Sequence, residues 1–168
     1  MLTEEEKTLF RRLSVFSGGF DLIDVEGICA SETLNEEKIQ DLFSQLVEKS
    51  MIQTFYTPDR QLRYKLLVTL QNYGSNLLTV KGELEDIRMR HLEYFKRKAE
   101  NAYEEQFDSQ SKWADWLEKE RENLVSALNW AESNSTETMA EFASYLGWFW
   151  RLKADLLTGI RYLKRALE

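Results

Sequence analysis

Residues 36–73 read EEKIQDLFSQLVEKSMIQTFYTPDRQLRYKLLVTLQNY, and the periods inside this stretch decide the fold. Between Glu36 and Lys49 the apolar residues Ile39, Leu42, Phe43, Leu46 and Val47 fall at i, i+3, i+4, i+7 and i+8, one face of a 3.6-residue period. Asn35 supplies a side-chain oxygen for the free N–H groups at the start of that helix. Two short runs rich in β-branched and aromatic residues follow, Ile52–Tyr56 and Leu62–Leu66, the second alternating cleanly. Thr57-Pro58-Asp59-Arg60 separates them, and Pro-Asp is turn chemistry, so the runs predict an antiparallel hairpin. A further helix resumes behind it, with Leu67, Leu70, Gly74 and Leu77 on its inner face.

Helix, hairpin, helix in this order is the signature of a winged helix. In winged helices that bind DNA, the helix before the hairpin enters the major groove. The charges here oppose that use: between Asn35 and Lys49, Lys38 and Lys49 stand against Glu36, Glu37, Asp41 and Glu48, a net charge of −2. Phosphates would repel such a helix. Contact with nucleic acid would have to run through Arg60, Arg63 and Lys65 on the wing.

Upstream, Thr3-Glu4-Glu5-Glu6 is a capping box opening a first helix with core residues Leu9, Leu13 and Phe16. Gly18-Gly19 ends it by permitting positive φ. Asp21 caps a short second helix carrying Leu22, Val25 and Cys29. Val80-Lys81-Gly82 marks the boundary between a winged-helix domain, 1–82, and a helical region, 83–168. A short glycine-containing linker at Val80–Glu85 is expected to act as a hinge.

The 168 residues carry a net charge of −7, with 43% hydrophobic side chains, which describes a foldable chain. Residues 1–82 are net −3 and residues 83–168 net −4, so both halves repel DNA at long range. The basic clusters Lys96-Arg97-Lys98 and Lys164-Arg165 are each interrupted by acids within a turn or two. No apolar run approaches the roughly 20 residues that span a bilayer, and no secretory signal opens the chain. A single cysteine allows no internal disulfide, and the expected compartment is the cytoplasm.

From Glu83 onward four helical patterns are expected, at 83–106, 110–132, 136–151 and 155–168, joined by short connections that make neighbours antiparallel. Their stripes include Ile87, His91, Tyr94, Phe95 and Ala102, then Trp113, Trp116, Leu117, Leu124, Leu128 and Ala131. Leu146-Gly147 and Trp150, then Gly159, Leu163 and Ala166, have the internal spacing of a tetratricopeptide repeat. Such an array cannot bury its face alone, so further repeats are expected downstream. The overall expectation is a mostly α chain: a winged helix with a two-stranded hairpin, followed by antiparallel tetratricopeptide-like hairpins.

The run Leu13-Ser14-Val15-Phe16-Ser17-Gly18-Gly19-Phe20 is followed in order by Leu46-Val47-Glu48-Lys49-Ser50, Arg63-Tyr64-Lys65-Leu66-Leu67, Arg90-His91-Leu92-Glu93-Tyr94-Phe95, Glu122-Asn123-Leu124 and Ala127-Leu128-Asn129-Trp130-Ala131. Together they resemble bacterial signal-transduction ATPases with numerous domains, in the branch of ATPases and transcriptional regulators. The resemblance implies a P-loop ATPase upstream, binding ATP or ADP, and more sensor repeats downstream. This chain would then be a middle segment. It has no Gly-x-x-x-x-Gly-Lys-Ser/Thr loop of its own. Related ATPases place a Met-His-Asp motif on the winged helix against ADP; Leu66, Leu67 and Val68 stand at those positions, so that nucleotide contact does not carry over.

No catalytic, cofactor or metal site is expected within the chain. His91, the one histidine, aligns with Ile87, Tyr94 and Phe95 and is expected to pack at the domain junction. One His and one Cys cannot make a typical zinc site. Cys29 reads as a small core residue. Adjacent carboxylates such as Glu104-Glu105 and Glu36-Glu37 point different ways on a helix and do not form an acid–base couple. Tyr145, Trp148, Phe149 and Arg151 are the candidate partner-binding residues: three consecutive aromatics cannot share one helix face, so they divide between the core of the helical hairpin and the concave surface that a repeat array offers to partners.

The function these readings support is non-catalytic: a regulatory segment coupling a helical-repeat sensor to an upstream nucleotide-binding switch. Its partners would be its own ATPase domain and downstream repeats. The alternative is a DNA-binding winged-helix transcription factor with a helical partner-binding domain.

Overall fold

The computed structural model describes residues 1–153 and 155–165. Its elements are α1 (Glu4–Leu13), α2 (Leu22–Cys29), α3 (Glu36–Glu48), β1 (Gln53–Tyr56), β2 (Leu62–Lys65), α4 (Val68–Val80), α5 (Leu84–Glu104), α6 (Gln110–Lys119), α7 (Arg121–Asn134), α8 (Thr136–Leu152) and α9 (Leu156–Arg165). The chain divides into two compact units, Met1–His91 and Leu92–Glu168.

In the first unit the sequence caps are built as they read. Thr3 N–H donates to Glu6 Oε2 at 2.7 Å and Glu6 N–H to Thr3 Oγ1 at 3.2 Å, the reciprocal box that opens α1. Asn35 Oδ1 accepts from Lys38 N–H at 3.0 Å at the start of α3. Helix α3 buries Ile39, Leu42, Phe43 and Leu46, the expected face. The strands pair antiparallel in the register Gln53↔Lys65 to Tyr56↔Leu62. Phe20 adds a one-residue third strand, exchanging backbone hydrogen bonds with Tyr64 at 2.9 and 3.1 Å. Aromatic rings join these parts: Phe43 meets Tyr64 edge-on at 4.8 Å and Phe20 at 6.4 Å, and Phe20 lies 4.7 Å from Phe16. These contacts, more than hairpin propensity, hold the wing against α3, because an isolated two-stranded hairpin is marginal in water.

In this unit Gly74 and Gly19 are needed for close approach. A Cβ on Gly74 would lie 2.9 Å from Ser14 Cβ, where α4 crosses α1, and one on Gly19 would lie 2.8 Å from the Phe55 ring. Of the two glycines expected to end α1, it is Gly18 that takes positive φ, at 77°. The inner face of α4 also differs from the expected stripe. Leu67 is the extended N-cap residue and is 44% exposed, while Gly74 and Leu78 carry the burial.

Among the described residues, two that are not glycine sit in the left-handed region, Ser50 at φ 57° and Arg60 at φ 63°. Ser50 closes α3, with Met51 N–H returning to Leu46 C=O at 2.9 Å and Ser50 N–H to Val47 C=O at 2.9 Å. A side chain there costs about 1–2 kcal/mol that glycine avoids, less the larger entropy glycine loses on folding. Ser50→Gly is therefore expected to raise the unfolding free energy by about 0.5–1 kcal/mol, measured by urea titration of the wild type and the variant.

In the second unit, the single helix expected over 110–132 is two. The break falls at Glu120, which ends α6 and precedes α7 with φ −96° and ψ 8°. Its side chain is buried and accepts from Asn123 Nδ2 at 2.8 Å, so the interruption is anchored within the core. Helix α8 packs on both α7 and α9. Between α8 and α9 the small-against-large spacing is realised at one point: a Cβ on Gly159 would meet Trp150 Cε3 at 2.8 Å, and Trp150 stacks on Tyr162 at 5.9 Å. Gly147 faces open space instead. Ala166, the last small position of that pattern, lies outside the described residues. Among the described residues, no helix is long and apolar enough to cross a membrane.

Candidate functional site

Helix α3 and the wing are the surface a winged helix offers to a partner. Facing outward on α3 are Glu36, Glu37, Lys38, Gln40, Asp41, Ser44, Gln45 and Glu48, all exposed. Both cations of the segment turn to carboxylates of α1: Lys38 Nζ lies 2.9 Å from Glu5 Oε1, and Lys49 Nζ pairs with Glu6, whose side chain is fully buried. Gln40 donates to Glu26 Oε1 at 2.8 Å. The free charges left on the α3 face are therefore carboxylates.

On the wing the three expected cations separate. Arg63 is 2% exposed, with Nε 3.2 Å from Asp21 Oδ1 and beside Gly19, so it is a core residue and not a surface contact. The reason is the pleat: Arg63 stands opposite Phe55, and that pair faces inward where Gly19 leaves room. Lys65 and Arg60 are exposed, Lys65 with its ammonium 5.3 Å from the centre of the Phe55 ring. The remaining outer side chains of the wing include an apolar pair, Tyr56 and Leu62, at 72% and 43% exposure.

The aromatic candidates of the second unit are also redistributed. Trp148, Phe149 and Trp150 are all buried, which corrects the expectation that Trp148 and Phe149 line a partner surface. Consecutive residues on a helix can all be buried when several sides of it are covered, and α8 has α7, α9 and the later turns of α5 against it. Tyr145 is half-buried; its hydroxyl donates to Glu100 and Glu141, each at 3.1 Å. Burial and then these two carboxylates push its phenol up from the ordinary value. Arg151 is exposed. Arg121 lies over the Phe149 ring at 5.5 Å and pairs with Asp155 at 2.8 Å. These two residues stand at a small cavity of about 70 Å³, whose apolar lining includes Leu124, Leu128, Leu146 and Trp150.

Within the first unit His91 is 1% exposed and meets Phe16 edge-on at 5.8 Å. Burial pushes the Cys29 thiol up to about 12, against the pull of Arg12 and Arg90, so it is protonated and unreactive at neutral pH.

One cluster went unread in the sequence. Arg11, near the end of α1, grips Glu83 with two hydrogen bonds, Nη2 to Oε1 at 2.7 Å and Nε to Oε2 at 3.0 Å. Arg12 Nε reaches the same carboxylate at 3.4 Å while its Nη1 donates to Cys29 C=O at 2.8 Å and Ser31 Oγ at 3.1 Å. Burial alone would raise the Glu83 carboxyl, but the two guanidiniums reverse this and hold it below the usual range. A carboxylate whose folded pKa is depressed contributes stability above its unfolded pKa and loses it as pH falls through the folded value. The urea midpoint is accordingly expected to drop below about pH 4.3, where carboxylates begin to protonate, and Glu83→Gln should reduce that drop. The available signal was a pair of arginines in the last turn of one helix and a Gly-Glu step at the start of another.

Residues 2–79 match a family described as a winged helix-turn-helix domain. The whole chain aligns with a protein of Mycobacterium tuberculosis named "Putative HTH-type transcriptional regulator", 33% identical over 169 residues, and with its Mycobacterium bovis counterpart at the same identity. A second Mycobacterium tuberculosis protein, named only as uncharacterized, is 30% identical over 99 residues, 58% of this chain and 25% of that protein. The chain spans 19% of the length of the regulator it matches end to end. No solved structure matches it.

Proposed function

With residues 2–79 forming a winged helix-turn-helix domain, we propose that the chain is a non-catalytic regulatory segment of a larger cytoplasmic transcriptional regulator, in which the winged helix engages protein and not DNA. The observation that carries this reading is the charge of α3: its outward face is acidic and both its cations are paired with Glu5 and Glu6. A helix presenting carboxylates to phosphates gains nothing from counterion release and loses through repulsion. The burial of Arg63 removes a further cation from the wing.

In this reading the winged helix packs on a nucleotide-binding core elsewhere in the polypeptide, where ATP or ADP binds, and relays to it the state of a tetratricopeptide-like sensor array. The close approach of Gly159 and Trp150 supports a repeat-like pairing of α8 and α9. The full-length relative's description as an HTH-type regulator favours a second reading, direct binding of duplex DNA through Arg60 and Lys65 on the wing. Fluorescence anisotropy separates the two. The chain, titrated into several labelled duplexes at about 20 mM salt, is expected to give no shift; binding that weakens steeply as salt rises, and is lost in the Arg60→Ala/Lys65→Ala pair, would establish the second reading.

A further inference from the structure

The junction between α4 and α5 is built as a rigid corner. Gly82 takes φ 69°, its N–H returns to Thr79 C=O at 3.1 Å, and Glu83 N–H returns to Leu78 C=O at 3.0 Å. That 6→1 and 5→2 pair is a Schellman closure of α4. Glu83 then serves as the first backbone acceptor of α5, taking Ile87 N–H at 3.1 Å, so one residue ends one helix and starts the next. Its side chain is meanwhile gripped by Arg11 and Arg12 of α1. The first two turns of α5 are fixed at further points in the same unit: Ile87 is fully buried, Arg90 Nη1 donates to Ala30 C=O at 2.5 Å, and His91 packs on Phe16. A slack hinge at Val80–Glu85 would have none of these ties.

We propose that Glu83 is a pin: a single carboxylate that locks the root of α5 to α1, so that regulatory strain passes along a clamped helix and releasing the pin frees the root without unfolding the winged helix. The physical case is the concentration of fixing contacts on one side chain. A bidentate guanidinium–carboxylate pair sets orientation as well as distance, and here the carboxylate sits on the residue whose backbone defines the direction of α5. Arg12 ties the same carboxylate to the end of α2 through Cys29 C=O and Ser31. Loss of Glu83 would leave the Schellman turn, the burial of Ile87, the Arg90–Ala30 hydrogen bond and the His91–Phe16 contact to hold the root, without the one tie that fixes its direction from α1. The regulatory sense of the pin rests on the reading that this chain relays a signal; the pin itself does not.

Hydrogen–deuterium exchange on the 168-residue chain tests it, comparing wild type with Glu83→Gln, and with Arg11→Glu alone and combined with Glu83→Arg. In Glu83→Gln, the rise in exchange at the amides of Ile87 to His91 is expected to exceed at least tenfold the smaller rise shared by α3 and the hairpin, which reads only the loss of global stability. The swapped pair should recover most of the protection that Arg11→Glu alone loses. Unchanged exchange at the α5 root in Glu83→Gln would overturn the proposal, since the corner would then be held by packing alone. An equal rise in α3, the hairpin and α5 would also overturn it, by making Glu83 an ordinary contributor to global stability. Neither result depends on whether the protein relays a signal or binds DNA, which the anisotropy measurement decides separately.

Discussion

Phe43→Ala is expected to lower the unfolding free energy of the winged-helix unit by about 3–5 kcal/mol. The ring is 4% exposed and forms the shared contact of α3, β2 and the Phe20 bridge, edge-on to Tyr64 at 4.8 Å and to Phe20 at 6.4 Å. Truncation removes the transfer free energy of the ring and leaves a cavity between elements that cannot all close on it, since the hairpin register is fixed by backbone pairing. Urea unfolding followed by far-ultraviolet circular dichroism reads the loss. Phe43→Leu should recover more than half of it, because volume is mostly kept. A cost below about 1 kcal/mol for the alanine variant would mean that the wing is not held by this cluster.

Arg63→Ala should be nearly as costly, at about 3–5 kcal/mol, the usual loss when one member of a buried ion pair is removed. The guanidinium is 2% exposed and faces Asp21, which is itself partly exposed, so the value belongs toward the lower end. The comparison with Arg60→Ala is informative. Arg60 is exposed at the tip of the wing, with its backbone at φ 63°, and alanine there should change stability by under about 1 kcal/mol. Were both residues on a nucleic-acid surface, both substitutions would spare stability. Replacing Asp21 and Arg63 together by Leu and Met is expected to cost less than Arg63→Ala alone, since neither charge then remains buried without the other. A thermal-shift series on the four proteins tests this ordering.

The elements of the winged helix were legible because each carries a local signal. The stripe Ile39, Leu42, Phe43, Leu46 gave α3 its buried face, Thr3 and Asn35 gave the caps of α1 and α3, and Pro58-Asp59 gave the turn. The acidity of α3 could also be read directly, although its pairing of Lys38 with Glu5 and Lys49 with Glu6 could not. Where a pattern was continuous, reading it as one element failed at Glu120, since a buried carboxylate can divide a helical stripe without altering its period.

The candidate contact residues were less legible, because exposure is set by what lies opposite. Arg63 alternates correctly with its neighbours on β2, and the alternation alone gives two faces without saying which one Gly19 and Asp21 will cover. Trp148 and Phe149 point to different sides of α8, and only the arrival of several helices around it buries both. The sequence by itself therefore determined the order, type and caps of the elements, which depend on residues within a few positions of each other. Only the tertiary structure decided which charges are spent internally, as in the 72-residue separation between Arg11 and Glu83. Electrostatic partners are chosen by distance in space, and at that separation sequence spacing carries no information about it.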